Sequence, residues 1–172
     1  MYPQLRVDVS GLENSTLYTM VLEFAILSPE KLRYTYGEWS STGDNDYPPI
    51  DAKHRLYIHP ESPNYGAYWM SNGVDFSDVK LTNQSPPSKG QVTLASLRNY
   101  LPIMHIIKSK NQGPNSPSIQ SFPLHDTSFI AVTLYQNEDM VKIKRLTDRF
   151  SYDKLGAKVF GNVQDQLESG KC

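Results

Sequence analysis

Cysteine is almost missing from this sequence, since Cys172 is the only one among 172 residues. A single cysteine excludes an internal disulfide and leaves a structural zinc site without its usual partners. Long apolar runs are missing too, because the longest one, residues 17–27, contains two hydroxyl side chains and Glu23. Such a run is too short and too polar to cross a bilayer or to act as a secretion signal. We therefore expect a protein of a reducing compartment, without a membrane segment.

Enzyme signatures are missing as well. The sequence has no G-x-S-x-G elbow, no P-loop and no G-x-G-x-x-G turn, which mark many hydrolases and nucleotide-binding enzymes. His59, His105 and His125 stand singly among apolar or turn residues, without the spacing or the acidic and cysteine neighbours of a metal site. We expect structural roles for these histidines, and a protein with no catalytic residues, no metal and no cofactor.

The net charge is only −1, which argues against the basic footprint that phosphate binding usually leaves. The charges are unevenly distributed, however. Residues 1–79 carry 5 Lys and Arg against 11 Asp and Glu, whereas residues 80–172 carry 12 against 7. The basic half could face phosphates while the acidic half keeps the chain soluble. Solvated surface charge explains the same division equally well.

Short runs of β-branched and aromatic residues, separated by Pro, Gly, Asn and Ser, indicate an all-β sandwich or barrel. Apolar and polar residues alternate over residues 4–9 and 32–39, on either side of the apolar run at 17–27. These three segments predict consecutive strands in a meander. Further strands are predicted at residues 56–58, 74–81, 91–94, 103–108 and 128–135.

Loops and helices are predicted from composition. Residues 40–54 contain Ser, Gly, Asp and a Pro-Pro pair, and residues 111–117 are rich in Pro, Ser and Asn, so both are expected to be loops. Helical signals are limited to a weak turn near residues 95–100 and a charged stretch at 148–158. The last dozen residues are polar and are expected to fray.

Polar and basic side chains follow two of the predicted strands. Loops at the strand ends of a rigid sandwich commonly carry binding groups, and ammonium, hydroxyl and amide groups suit phosphate oxygens and base edges. The same residue types also form ordinary turns, so the residues alone leave both interpretations open. The candidates are Lys80, Thr82 and Asn83 after one strand, and Thr133, Tyr135, Gln136 and Asn137 after the other.

A third cluster combines cations with an aromatic ring. Between residues 142 and 158, six basic residues stand against two acids. Such a segment can neutralise phosphates while the ring enters a groove. A terminal helix with Phe150 in the core and solvated lysines explains the same residues. The candidates for DNA contact are Lys142, Lys144, Arg149, Phe150 and Lys154.

Five ordered motifs resemble the T-box domain. Residues 1–12, M-Y-P-Q-L-R-V-D-V-S-G-L, are similar to the family's M-F-P-x-L-x-V-x-V-S-G-L. Residues 33–39, R-Y-T-Y-G-E-W, resemble the Brachyury-type version, and residues 57–70 are similar to Y-I-H-P-D-S-P-x-x-G-x-x-W-M. Residues 79–83 match V-K-L-T-N, and residues 129–137 match F-x-A-V-T-A-Y-Q-N with one exchange. On these motifs the chain is identified as a member of the T-box family.

The resemblance implies an immunoglobulin-like β-sandwich with a short C-terminal helix over residues 1–156, followed by a polar tail over residues 157–172. It implies sequence-specific binding of double-stranded DNA that carries a GTG-containing T-element. A nuclear location and regulation of RNA polymerase II transcription, with a role in development, follow from the same resemblance. A second T-box chain on paired half-sites is left open, and no membrane or small-molecule substrate is expected.

The resemblance also assigns roles to the candidates. Residues 80–83 fall in the family's K-L-T-N segment near the DNA backbone, and residues 133–137 fall in its Y-Q-N segment. Phe150 occupies the first aromatic position of the N-P-F-A-K-x-F element, whose side chains lie in the minor groove. Lys154 replaces the second aromatic, so we expect weaker wedge contacts and a gained phosphate contact.

Two further departures lower the expected affinity. Ile103 stands where the family's Y-x-P-R-x-H-I stretch has an arginine. The chain starts at Met1, where the family has a basic R-R and, before it, a helix and a strand, so a DNA-contacting arginine and part of a sheet are expected to be missing. The alternative is therefore a degenerate T-box sandwich that acts mainly through protein contacts and binds DNA weakly. The salt dependence of DNA binding separates this alternative from a true DNA-binding protein. Only a protein that neutralises several phosphates loses DNA affinity steeply as the salt concentration rises.

Overall fold

The computed structural model describes residues 4–109, 118–134, 139, 141–143 and 145–146. The chain divides into two compact units, Met1–Leu134 and Tyr135–Cys172. In its described residues the first unit contains two 3-10 helices, Ala52–Arg55 and His125–Thr127, and the short helix α1 (Gly66–Asn72). Its strands are β1 (Arg6–Val7), β2 (Leu17–Ser28), β3 (Leu32–Thr35), β4 (Glu38–Ser41), β5 (Leu56–Ile58), β6 (Asn64–Tyr65), β7 (Val74–Asp75), β8 (Lys80–Thr82), β9 (Gln91–Thr93), β10 (Asn99–Lys108), β11 (Ile119–Pro123) and β12 (Phe129–Ile130).

The largest sheet is built around the two long strands β2 and β10. They pair antiparallel from Asn99 opposite Ser28 to Lys108 opposite Tyr18. Within the described residues the strand order is β11-β10-β2-β5, with β12 also beside β10 and β6 also beside β2. Because successive side chains of a strand point to opposite faces, every second residue of β2 and β10 faces the same side.

The core lies on that side, between the large sheet and a second layer that includes the small sheets β1–β7 and β8–β9. The large sheet contributes residues that are almost completely buried, among them Met20, Leu22, Phe24, Tyr100 and Met104. The second layer contributes Val74, Phe76, Val79, Val92 and Leu94. Two layers with one apolar core confirm the expected all-β, immunoglobulin-like β-sandwich.

Helix α1 closes one side of the core, and the sequence pattern did not predict it. A Cβ atom on Gly66 would lie 2.3 Å from the Glu13 carbonyl oxygen, so only glycine fits at the start of the helix. The Gly66 amide donates to the Thr16 carbonyl, and the helix ends at Asn72, followed by the cap residue Gly73, whose φ is +71°. No helix in the described part of the chain is long and apolar enough to span a membrane.

The predicted meander is wrong. Residues 32–39 do not form one strand but a hairpin, β3–β4, whose turn residues Tyr36 and Gly37 both have positive φ. Two positive φ values in a two-residue loop are typical of a tight hairpin turn. Strand β3 pairs with β4 and β1 pairs with β7, whereas β2 pairs with distant strands. Period-two alternation indicates a strand but not its partner, so the connection order was not accessible from it.

Three other segments differ from their predictions. Residues 74–81 form two strands, β7 and β8, separated by a turn in which the Val79 amide donates to the Phe76 carbonyl. Residues 95–100 contain no helix, since β10 begins at Asn99 after a turn with Leu97 at φ +60°. The segment 40–54 is a loop only in its middle, between β4 and the first 3-10 helix. The predicted loop at 111–117 and the predicted helix at 148–158 lie outside the described residues.

Candidate nucleic-acid interface

Strand β8 presents the first candidate, Lys80. It pairs in parallel with β9, with Lys80 opposite Gln91 and Thr82 opposite Thr93. Val79 is buried in the core and Leu81 packs against it, so the alternation directs Lys80 outward, where it is exposed. No carboxylate of the described residues lies within 4.0 Å of the Lys80 ammonium. Its charge is therefore available to an anion in solution.

Thr82 holds the turn that follows β8. Its hydroxyl oxygen accepts a hydrogen bond from the Gln84 amide at 3.1 Å, and the Thr93 hydroxyl donates to the Gln84 carbonyl at 2.7 Å. Thr82 is half-buried, whereas Asn83 is exposed. The turn thus displays the Asn83 amide, while the Thr82 side chain fixes its backbone.

The second candidate segment runs on from β12. Strand β12 pairs with the start of β10, and beyond it the Ala131 amide donates to the Arg98 carbonyl at 3.0 Å. Ala131 also accepts a hydrogen bond from the Leu97 amide at 2.6 Å. Thr133 follows and is exposed. Tyr135, Gln136 and Asn137 lie outside the described residues.

Both segments are attached to one turn, residues 94–98, which we call the 94–98 turn. At its start the Leu94 amide donates to the Thr82 carbonyl at 2.8 Å, and at its end Leu97 and Arg98 bond to Ala131. Segments about 50 residues apart in the chain are therefore held on one short stretch of backbone. This proximity was not accessible from the sequence pattern.

Aromatic hydroxyls fix a further loop to the same turn. The Tyr100 hydroxyl accepts from the Ala95 amide at 2.9 Å and lies 3.3 Å from the Tyr47 hydroxyl. Burial raises the pKa of Tyr100 well above its usual value, and the Tyr47 contact raises it further, so this hydroxyl stays neutral. The loop around Tyr47 is thereby held beside the 94–98 turn.

Arg98 was not singled out in the sequence, yet it occupies the end of this turn. It is only 3% exposed, and its guanidinium Nη2 donates to the Asp46 carbonyl at 2.8 Å. An arginine in the run S-L-R-N-Y carries no local signal of burial. The burial of Arg98 is visible only in the folded structure, where the loop at Asp46 lies against the turn.

The basic C-terminal cluster belongs to the second unit and is described by itself. Residues 139, 141–143 and 145–146 are in α-helical conformation. Lys142 is exposed, and its ammonium lies 3.1 Å from the Asp139 carboxylate. An exposed pair of this kind is weak, so Lys142 can exchange that carboxylate for a phosphate. Lys144, Arg149, Phe150 and Lys154 lie outside the described residues.

Ile103, which replaces the family's arginine, lies on the face of β10 that points away from the core. Its register partners are Glu23 on β2 and Pro123 on β11. A cation at this position would have a carboxylate directly opposite it. The lower DNA affinity expected from isoleucine in place of the family's arginine stays a prediction. The loss should be small, because the Glu23 carboxylate would partly neutralise an arginine at position 103.

The histidines divide between core and surface. His59 is buried, its Nε2 lies 3.0 Å from the Asp75 carbonyl, and its ring packs edge-on against Trp69 at 5.0 Å. His105 lies between the Glu23 carboxylate at 2.9 Å and the Ser121 hydroxyl at 2.8 Å, and so links β2, β10 and β11. Within the described residues, no group of three or more His, Cys, Asp or Glu side chains is placed to hold a metal ion.

Comparison with known proteins identifies the family. The T-box family profile matches residues 1–154. The chain is 37% identical to the T-related protein of Drosophila melanogaster over 158 residues, which cover 92% of this chain and 22% of that protein. It is 39% identical to T-box transcription factor T of Xenopus laevis over 170 residues, or 99% of this chain and 38% of the relative. It is 40% identical to T-box transcription factor T homolog 1 of Branchiostoma floridae over 171 residues, or 98% and 36%.

The chain thus spans about a fifth to two fifths of the length of these curated relatives. The match covers the strands of the sandwich and both segments that meet at the 94–98 turn. The chain belongs to the T-box family.

Proposed function

We propose that this chain binds double-stranded DNA in a sequence-specific manner and thereby regulates transcription. The observation that carries the proposal is the attachment of residues 80–83 and 131–133 to the single 94–98 turn. This turn sets an exposed ammonium, an exposed amide and an exposed hydroxyl on a rigid β framework. Two of the relatives named above are T-box transcription factors, which supports the same function.

We assign the roles of the individual residues by chemistry. Lys80, Lys142, Lys144, Arg149 and Lys154 neutralise backbone phosphates, which supplies most of the affinity. Asn83, Thr133, Gln136 and Asn137 offer donors and acceptors to phosphates and base edges, and Tyr135 adds a hydroxyl and an aromatic face. Thr82 positions Asn83 through the turn. Phe150 enters the minor groove, where an apolar ring can open a base step.

The proposed mechanism has three steps. The basic residues in the half of the chain from residue 80 onward capture the duplex electrostatically. Phosphate contacts then fix the register of the protein on the backbone. A few groove contacts, with Phe150 among them, finally discriminate a GTG-containing T-element from other sequences.

The proposed DNA binding implies a cellular location and a set of partners. Regulation of RNA polymerase II transcription requires a nuclear location, which the names of the relatives also support. The function needs neither a catalytic residue nor a cofactor. A DNA element with two half-sites would bind a second T-box chain beside this one.

Substitution of Lys80 by alanine tests the phosphate contact. The plot of log affinity against log salt is expected to lose about one unit of negative slope, and affinity is expected to fall to a similar degree on specific and scrambled duplexes. Fluorescence anisotropy at several salt concentrations measures both quantities.

The matched control is Lys53→Ala, since the Lys53 ammonium already lies 2.8 Å from the Asp51 carboxylate. This variant should keep the wild-type slope. A wild-type protein whose affinity does not change with salt would contradict phosphate capture and would favour a protein-interaction module.

A further inference from the structure

Arg98 carries a buried positive charge that nothing in the described protein neutralises. Arg98 is 3% exposed, and the only hydrogen bond of its side chain among the described residues is the one from Nη2 to the Asp46 carbonyl. The Arg98 Nε is buried and has no hydrogen-bond partner among the residues that the structure describes. No carboxylate of the described residues lies within 4.0 Å of the guanidinium.

This arrangement is costly for stability. A buried charge that lacks a counter-charge is one of the most unfavourable groups in a folded protein. Even a buried ion pair can often be replaced by apolar residues of similar volume without a loss of stability. Folding alone would therefore favour methionine or leucine at position 98. The presence of arginine indicates a role that compensates this cost.

A second guanidinium lies near the same turn. Arg55, at the end of the first 3-10 helix, is half-buried, and its Nε is also buried with no hydrogen-bond partner in the described part of the chain. Burial and the Tyr47 contact together raise the pKa of the Tyr100 hydroxyl, and the Arg55 charge only partly opposes that rise. The Ala95 amide of the 94–98 turn donates to the same hydroxyl. Within the described residues, neither Arg98 nor Arg55 has a carboxylate within 4.0 Å of its guanidinium.

The position of Arg98 connects this charge with the proposed DNA-binding surface. The Arg98 carbonyl accepts from Ala131, two residues before Thr133, and Leu94 of the same turn bonds to Thr82. A charge inside the protein is screened by salt far less than a charge in solution. The field of Arg98 is therefore weakened by salt less than the field of an exposed charge at the same distance from a phosphate.

We infer that Arg98 strengthens DNA binding electrostatically: its buried guanidinium, held on the Asp46 carbonyl without a counter-charge among the described residues, attracts backbone phosphates to the surface formed by residues 80–83 and Thr133. This inference rests on the proposed function and goes beyond it, because Arg98 need not touch the DNA. The residue acts through the field that it creates.

Arg98→Met is the test, because it removes the charge and keeps most of the volume. The expected result is a loss of affinity of about threefold to tenfold, equal on specific and scrambled duplexes, together with a melting temperature equal to or above that of the wild type. Arg98→Lys keeps the charge and should keep most of the affinity. The measurements are fluorescence anisotropy and thermal unfolding of the full chain.

Lys108→Met is the charge-matched control. Lys108 lies at the opposite end of β10, about 30 Å away along a strand that rises roughly 3.3 Å per residue. That distance exceeds the screening length of about 8 Å at physiological salt several times over. This variant should bind DNA as the wild type does.

The outcomes separate this inference from the proposed function. A wild-type chain that binds no duplex would overturn both. A wild type that binds DNA, with an Arg98→Met variant of unchanged affinity, would overturn the inference alone. A methionine variant that is less stable than the wild type and that lysine does not rescue in affinity would assign Arg98 a purely structural role and would also overturn it.

Discussion

Replacement of Trp69 by alanine is expected to lower the free energy of unfolding by about 3–5 kcal/mol. Trp69 is fully buried on α1, and its ring packs edge-on against His59 and Tyr68. Its indole N–H lies 3.2 Å from the carbonyls of both Tyr18 and Asn64. The substitution removes a large apolar surface and also the N–H donor that both backbone carbonyls share.

Urea unfolding followed by far-ultraviolet circular dichroism measures this loss. Trp69→Phe keeps an aromatic ring but removes the N–H, and we expect it to cost less than the alanine variant. Phe122→Ala is a matched control, because Phe122 on β11 is 45% exposed and should cost under about 1 kcal/mol. An alanine variant of Trp69 that unfolds within about 1 kcal/mol of the wild type would contradict the role of α1 in the core.

Replacement of Phe150 by alanine is expected to lower the affinity for a T-element duplex by about 30-fold or more. A buried aromatic anchor in an interface typically contributes at least about 2 kcal/mol, which corresponds to that factor. Affinity for a scrambled duplex should change little, because nonspecific binding depends on phosphate contacts rather than on a ring in the groove. Competition binding with both duplexes measures the two effects together.

Phe160→Ala is the control for this prediction, since Phe160 belongs to the predicted polar tail. It changes the same residue type and should leave both affinities unchanged. Equal losses on the two duplexes for Phe150→Ala would place Phe150 outside the groove and would support its packing in a terminal helix instead.

The strands that the sequence predicted are those with a strong local pattern. β2, β5 and β9 lie where apolar runs or alternation placed them, because side-chain period depends only on neighbouring residues. Their partners were missed because pairing depends on residues far along the chain. β2 pairs with β10, about 80 residues later, and β1 pairs with β7.

Two local elements were missed for physical reasons. The β3–β4 hairpin turns at Tyr36-Gly37, whereas the usual signal for such a turn is Asn-Gly or Asp-Gly. Helix α1 has seven residues, begins with Gly66 and has no side-chain cap, so intrinsic helix propensity argues against it. Tertiary contacts override that preference, through the Gly66 amide on Thr16 and the burial of Trp69.

The candidate site also contains residues that the sequence identified and one residue that it did not. Residue types and the T-box resemblance identified the segments that contain Lys80, Asn83 and Thr133, and the structure joins these segments at one turn. Neither approach pointed to Arg98 before the fold was known. The proposed role of Arg98 depends on its burial and on its hydrogen bond to a carbonyl 52 residues away in sequence. Neither feature can be predicted from the residues that neighbour Arg98 in the chain.

Sequence-specific DNA binding is tested most directly by titrating the purified chain into a GTG-containing T-element duplex and into a scrambled duplex of equal length and composition. Fluorescence anisotropy at several salt concentrations gives both affinities. We predict a preference for the element of about 10³-fold or more, with affinity for both duplexes falling as salt rises. Equal and weak binding to the two duplexes at every salt concentration would contradict sequence-specific recognition.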